Sequence, residues 1–237
     1  MNPTAKRAAI LISGRGTNMA RLVEAAADPS YPAGIVGVIS DTPDAAGLLF
    51  AESKGIETRV LPRGDYSSKE AHDGAIDAAL ESFGTEIVCL AGYMRILTAR
   101  FVEKWQGRMI NIHPALLPSF KGLDTHRRAL DAGVRVHGCT VHFVTPEMDD
   151  GPIIAQAAVP VLVGDAEEAL AARVLKAEHQ LYPLALRLVA EGKARMENGR
   201  TVFSGFHESE GDALARLFSP ASWSDDVDLE ALARFTP

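Results

Sequence analysis

The sequence predicts an α/β protein built on a doubly wound, mostly parallel sheet with helices on both faces and an antiparallel C-terminal part. Three observations carry this expectation. Short runs that are apolar throughout alternate with helical patterns across the first half of the chain, as expected of parallel strands covered on both faces. A glycine-rich turn, SGRGTN, follows the first such run directly. Further on, two β-rich runs, VHGCTVHFVT and PIIAQAAVPV, are joined only by PEMDDG, a string of turn formers that suits an antiparallel hairpin.

In chain order, AAILIS reads as the first strand and NMARLVEAAA as its helix; GIVGVIS is followed by AGLLFAESKG, and TRVLP by SKEAHDGAIDAALESF. EIVCLAG is a fourth strand. Met109 to Ile112 begins a fifth, in which Asn111 and His113 interrupt the apolar run before Pro114 and Pro118 stop regular pairing. DTHRRALDAG reads as a short helix, Ala166 to about Glu191 as a long one, and MENGRTVF as a small hairpin around Asn198-Gly199.

The 237 residues suit a catalytic domain over 1–204 and an appendage over 205–237. A formal charge of -7 repels phosphate polymers and anionic lipid on average, so neither nucleic acid nor a membrane is the expected partner. Cys89 and Cys139 each sit in an apolar run and read as packed thiols. The basic N-terminus precedes an apolar run too short for a signal peptide, and no run approaches the roughly 20 residues that span a bilayer. A cytoplasmic protein is expected. The 205–237 tail carries seven acidic residues against Arg216 and Arg234, yet it includes the amphipathic pieces ALARLF and DLEALARF. Docked short helices and a disordered tail both fit.

Loops at the carboxyl ends of a doubly wound sheet make its binding crevice. In SGRGTN the glycines let backbone N–H groups converge on an anion, and Asn18 can cap the following helix; a plain glycine turn fits equally, and GxGxxG is incomplete. Asn111 and His113 are two apart, so on a strand they share a side, while Ile110 and Ile112 take the other. An amide and an imidazolium placed together suit an acyl oxygen that becomes an oxyanion. Asp149 and Asp150 lie in a turn where aspartates commonly bond to backbone, though a carboxylate near His113 would favour the charged ring. His137 and His142 would face opposite sides of one strand, and neither HExxH nor CxxC occurs, so no metal is expected. Arg95 could pair with an anionic substrate or be a solvated surface group.

Taken together, ILISGRGTN, LAGYMRILT, GRMINIHPALLPSFKG, THRRALDAG, HGCTVHFVTPEMDDGPIIAQAAVPV and AEHQLYP, in that order over about residues 8–204, resemble the glycinamide ribonucleotide formyltransferases, folate-dependent enzymes of purine synthesis. The resemblance implies a formyltransferase fold and a formyl group moving from 10-formyltetrahydrofolate, as co-substrate, to the amine of glycinamide ribonucleotide. By that likeness Asn111, His113 and Asp149 are the catalytic trio. The loop Gly14, Arg15, Gly16, Thr17 and Asn18 would hold the phosphate, and Glu178 the ribose hydroxyls. Met94, Arg95, Ile96, Leu97, Val144, Thr145 and Met148 would line the folate site. Leu175 departs from the pattern, standing where a polar, ribose-facing glutamine is expected. Both partners are then small molecules, with self-association left open.

Two relatives with similar chemistry are rivals. Methionyl-tRNA formyltransferase would bring a larger C-terminal RNA-binding domain and a basic surface. Formyltetrahydrofolate hydrolase would use a similar trio with water as nucleophile, behind an N-terminal regulatory domain. A non-enzymatic nucleotide sensor would need no convergence of Asn111, His113 and Asp149.

Overall fold

A computed structural model describes residues 5–205. The elements run β1 (Lys6–Ile12), α1 (Thr17–Ala26), β2 (Ala33–Ser40), α2 (Ala46–Ser53), β3 (Thr58–Val60), α3 (Lys69–Ser82), β4 (Ile87–Leu90) and α4 (Ala99–Lys104). They continue with β5 (Met109–His113), α5 (Thr125–Asp131), β6 (Val136–Phe143), β7 (Ile153–Pro160), α6 (Glu167–Ala190), β8 (Ala194–Glu197) and β9 (Arg200–Phe203). All but residue 205 of the proposed acidic tail lies outside the described residues.

Seven strands form one sheet in the order β3-β2-β1-β4-β5-β6-β7. The first five are parallel, and β6 and β7 add antiparallel at one edge. The expected doubly wound sheet with an antiparallel end is therefore observed. The chain winds outward from β1 through β2 to β3, then returns to place β4 on the other side of β1. That reversal is the switch point where such sheets open a crevice.

Period-two alternation explains why these strands are apolar throughout. Ile10 and Ile12 of β1 pack with Ile110, Tyr182 and Leu186 on one face of the sheet, whereas Ala9 and Leu11 pack with Ile76, Leu80, Phe101 and Met109 on the other. On the first face, the Tyr182 hydroxyl reaches the carbonyl oxygens of Leu90 at 2.9 Å and Ile110 at 3.2 Å. This ties α6 to the backbones of β4 and β5.

Helix α4 is not among the elements the sequence predicts. It is six residues long, and its cue is a cap: Thr98 Oγ1 accepts from the Phe101 N–H at 3.3 Å, and Phe101, Val102 and Trp105 bury one face. Between β6 and β7 the backbone passes so close that a Cβ on Gly151 would lie 1.7 Å from the Phe143 oxygen. Only glycine fits there. Among the described residues no helix is long and apolar enough to cross a membrane.

Candidate active site

The loops after β1 and β4 meet at the switch point, and the loop after β5 leaves the same end of the parallel sheet. Ser13 N–H donates to the Gly92 carbonyl at 3.2 Å, and Met94 N–H to Ser13 Oγ at 2.9 Å, joining the first two loops. Gly16 holds the turn into α1 at φ 71, and a Cβ there would meet the Gly47 Cα at 2.9 Å. The expected capping role of Asn18 is corrected: Gly16 is the cap and no side chain caps α1. Asn18 is the second helical residue, and its Nδ2 donates to Glu178 Oε2 at 2.7 Å. The first-turn N–H groups are thereby left without a capping side chain, the arrangement that receives an anion.

Glu178 is buried on α6, and burial pushes its carboxyl up while the Asn18 hydrogen bond opposes the shift. Leu175 sits half-buried one turn earlier on the same helix. Arg15 and Thr17 flank Gly16, with Arg15 exposed.

The segment expected to bind folate divides in two. Met94, Ile96 and Met148 are exposed, whereas Leu97 is buried with Phe101 and Met109, and Val144 packs against that cluster. Thr145 Oγ1 donates to the Glu147 carbonyl at 3.3 Å. Arg95 is not a free cation: its Nε donates to the buried Asp41 carboxylate at 2.7 Å. Burial raises the Asp41 pKa, but hydrogen bonds from Arg95, Ser13 and Thr42 outweigh it and hold the carboxyl below its usual range. Arg63 and Lys69, which no motif marks, join Arg95, Met94 and Ile96 around a cavity of about 390 Å³.

Asn111 and His113 extend from one face of β5, beside the antiparallel edge. His113 Nε2 lies 3.0 Å from the Phe120 carbonyl, which can only accept, so this nitrogen carries a proton. Its Nδ1 faces Asp149 Oδ2 at 3.4 Å. Asp149 in turn accepts from the Gly122 N–H at 2.8 Å, so segment 120–122 holds both the imidazole and the carboxylate. The turn containing Asp149, with φ 52, folds back onto the face of the sheet that carries His113. Thus the structure brings all three residues of the expected trio together.

Three further side chains support them. Thr140, directly across the ladder from His113, donates to the Ala115 carbonyl at 2.7 Å and accepts from the Leu117 N–H at 3.0 Å. Gln156 donates to the same hydroxyl and to the Leu117 carbonyl. His142 lies across from Asn111, with its Nε2 3.3 Å from Asn111 Nδ2 and 3.8 Å from Asp149 Oδ1. Strand spacing alone does not reveal these residues, because their roles come from register with β5. Among the described residues no group of three or more His, Cys, Asp or Glu is arranged to hold a metal.

An amide, an imidazole and a carboxylate assembled at one end of a doubly wound sheet are groups able to stabilise charge on an acyl oxygen and to move a proton beside it. The chain belongs to the formyl transferase family, whose model matches residues 6–186. It is 41% identical over 196 residues to phosphoribosylglycinamide formyltransferase of Escherichia coli, covering 83% of this chain and 92% of that protein. It is 54% identical over 201 residues to the trifunctional purine biosynthetic protein adenosine-3 of Bos taurus, covering 84% of this chain but only 20% of the bovine protein's length. Among solved structures, phosphoribosylglycinamide formyltransferase from Brucella melitensis superposes with a TM-score of 0.76 at 59% identity, covering 78% of this chain and 96% of that one.

Proposed function

We propose that the protein transfers a formyl group from 10-formyltetrahydrofolate to the amine of glycinamide ribonucleotide. The observation that carries this reading is the meeting of Asn111, His113 and Asp149 at the end of the parallel sheet that also carries the uncapped start of α1. In this reading the first turn of α1 and the Gly14–Asn18 loop receive the phosphate, and Glu178 takes the ribose hydroxyls. Met94, Arg95, Ile96 and Leu97, with Val144, Thr145 and Met148, line the folate side.

The substrate amine attacks the formyl carbon and forms a tetrahedral intermediate. Asn111 donates to its oxygen, and the His113 ring supplies positive charge beside it. Asp149, within reach of the His113 ring, receives the proton that the amine sheds; as the intermediate collapses, the bond from the formyl carbon to the folate nitrogen breaks, and that nitrogen takes up the proton as it leaves. The amine is itself the nucleophile, so no covalent enzyme intermediate is required. Holding both substrates in one crevice supplies much of the remaining acceleration.

A single-turnover assay with the formyl donor, with and without glycinamide ribonucleotide, tests this reading. Formyl transfer to the ribonucleotide amine, with little formate released in its absence, is the expected result. Rapid formate release without acceptor would instead identify a hydrolase, and no reaction with this acceptor would remove the proposal.

A further inference from the structure

His142 is a buried imidazole, 2% exposed, to which neither the sequence motifs nor the mechanism above assigns a task. It stands opposite Asn111 in the antiparallel ladder between β5 and β6, so the two side chains emerge on the same face. Its Nδ1 lies 2.9 Å from the Phe143 carbonyl. A carbonyl cannot donate, so the proton of a neutral ring sits on Nδ1 and leaves Nε2 as an acceptor. That acceptor faces the Asn111 amide nitrogen at 3.3 Å.

We propose that His142 is a positioning residue, which as the neutral Nδ1–H tautomer accepts one N–H of Asn111 and so keeps the amide nitrogen, rather than the amide oxygen, turned toward the reacting oxygen. A primary amide has a donor end and an acceptor end of nearly the same shape, and at the half-buried Asn111 either could face the substrate. With the acceptor end inward, the developing oxyanion would meet a second negative dipole. Nε2 removes that ambiguity, because an amide oxygen turned toward it would set two lone pairs against each other. The second N–H of the same amide stays available for the substrate. Burial also disfavours the charged ring, alongside His113 on β5, and so keeps Nε2 an acceptor against the opposing Phe143 carbonyl and Asp149 on the β6–β7 turn.

This inference rests on the formyl-transfer reading, and two substitutions separate the acceptor from the rest of the side chain. His142→Asn keeps a donor for the Phe143 carbonyl but has no acceptor at the Nε2 position, whereas His142→Gln can place its amide oxygen there. His142→Asn should lower kcat by roughly 10- to 100-fold with both KM values within about threefold. His142→Gln should recover most of that loss. In an Asn111→Ala background, His142→Asn should cost little more, because its effect passes through the amide. Equal losses in the two variants, or an undiminished loss in the Asn111→Ala background, would overturn the proposal.

Nitrogen-15 chemical shifts of the histidines in the unmodified protein give a reading independent of variant folding and of turnover. They should place the His142 proton on Nδ1 at the pH of assay. A proton on Nε2 would overturn the proposal even if formyl transfer is confirmed. A protein that transfers no formyl group would instead overturn the reading of function, while the tautomer would still be decided.

Discussion

Asn18 donates an amide N–H to the Glu178 carboxylate across 2.7 Å, joining the first turn of α1 to the middle of α6. Burial raises the Glu178 pKa above its ordinary 4.5, with the Asn18 bond opposing. A carboxyl whose folded-state pKa is raised contributes stability that is complete below its unfolded value and is lost as pH rises through the raised one. Glu178→Gln should therefore gain melting temperature relative to the native protein as pH is raised from 4.5 to 8. It should also weaken ribonucleotide binding by roughly tenfold or more. A difference in melting temperature that does not change with pH would contradict the burial argument.

Gly151 sets the path of the turn that carries Asp149. A Cβ there would lie 1.7 Å from a backbone oxygen that cannot swing aside as a side chain could. Gly151→Ala should displace the turn, destabilise the protein by about 1–3 kcal/mol and reduce turnover through Asp149. Thermal melts and steady-state kinetics on the purified variant are the check.

His137 is buried on the opposite face of β6 from His142, with neither ring nitrogen in hydrogen-bond geometry with a partner. It packs edge-on against Phe120, whose carbonyl holds His113, and against His126. Burial, with His126 nearby, pushes its pKa from 6.5 down to about 4, and the Pro114 carbonyl opposes this in part. The lowered value means that the unfolded chain takes up the proton first as pH falls, so stability is lost between pH 6.5 and about 4. His137→Phe should reduce this acid sensitivity by up to about 3 kcal/mol, read from urea midpoints at pH 7.5 and 4.5.

The Gly14–Asn18 loop and the uncapped start of α1 predict dependence on the substrate phosphate. The dephosphorylated riboside should bind at least about 100-fold more weakly than the ribonucleotide by calorimetry. Equal affinities would move the phosphate elsewhere.

Much of this arrangement is legible in the sequence, and its gaps have physical causes. Parallel strands buried on both faces leave apolar runs, and the glycine turn after β1 marks the switch point without any knowledge of pairing. The period of two also places Asn111 and His113 on one side. From spacing alone Asp149 reads as a turn residue, and its place in the trio comes from the family resemblance, because its closeness to His113 depends on how the β6–β7 connection folds back. His142, Thr140 and Gln156 gain their roles from cross-strand register, which sequence spacing does not encode. Arg95 carries a charge visible in the sequence, but its partner Asp41 lies 54 residues away and is found only in the fold. The two-residue difference between Asn18 as a cap and Asn18 as the second helical residue, reaching Glu178, likewise shows only in the fold.

Formyl transfer by the Asn111, His113 and Asp149 cluster depends on the Asp149 charge. Asp149→Asn keeps the size of the side chain and removes its charge. Rapid-quench single-turnover of this variant, with both substrates saturating, isolates the chemical step. A fall of at least about 100-fold in that step is expected, with dissociation constants for both substrates within about threefold of the native values. A chemical step within about threefold of native would contradict it.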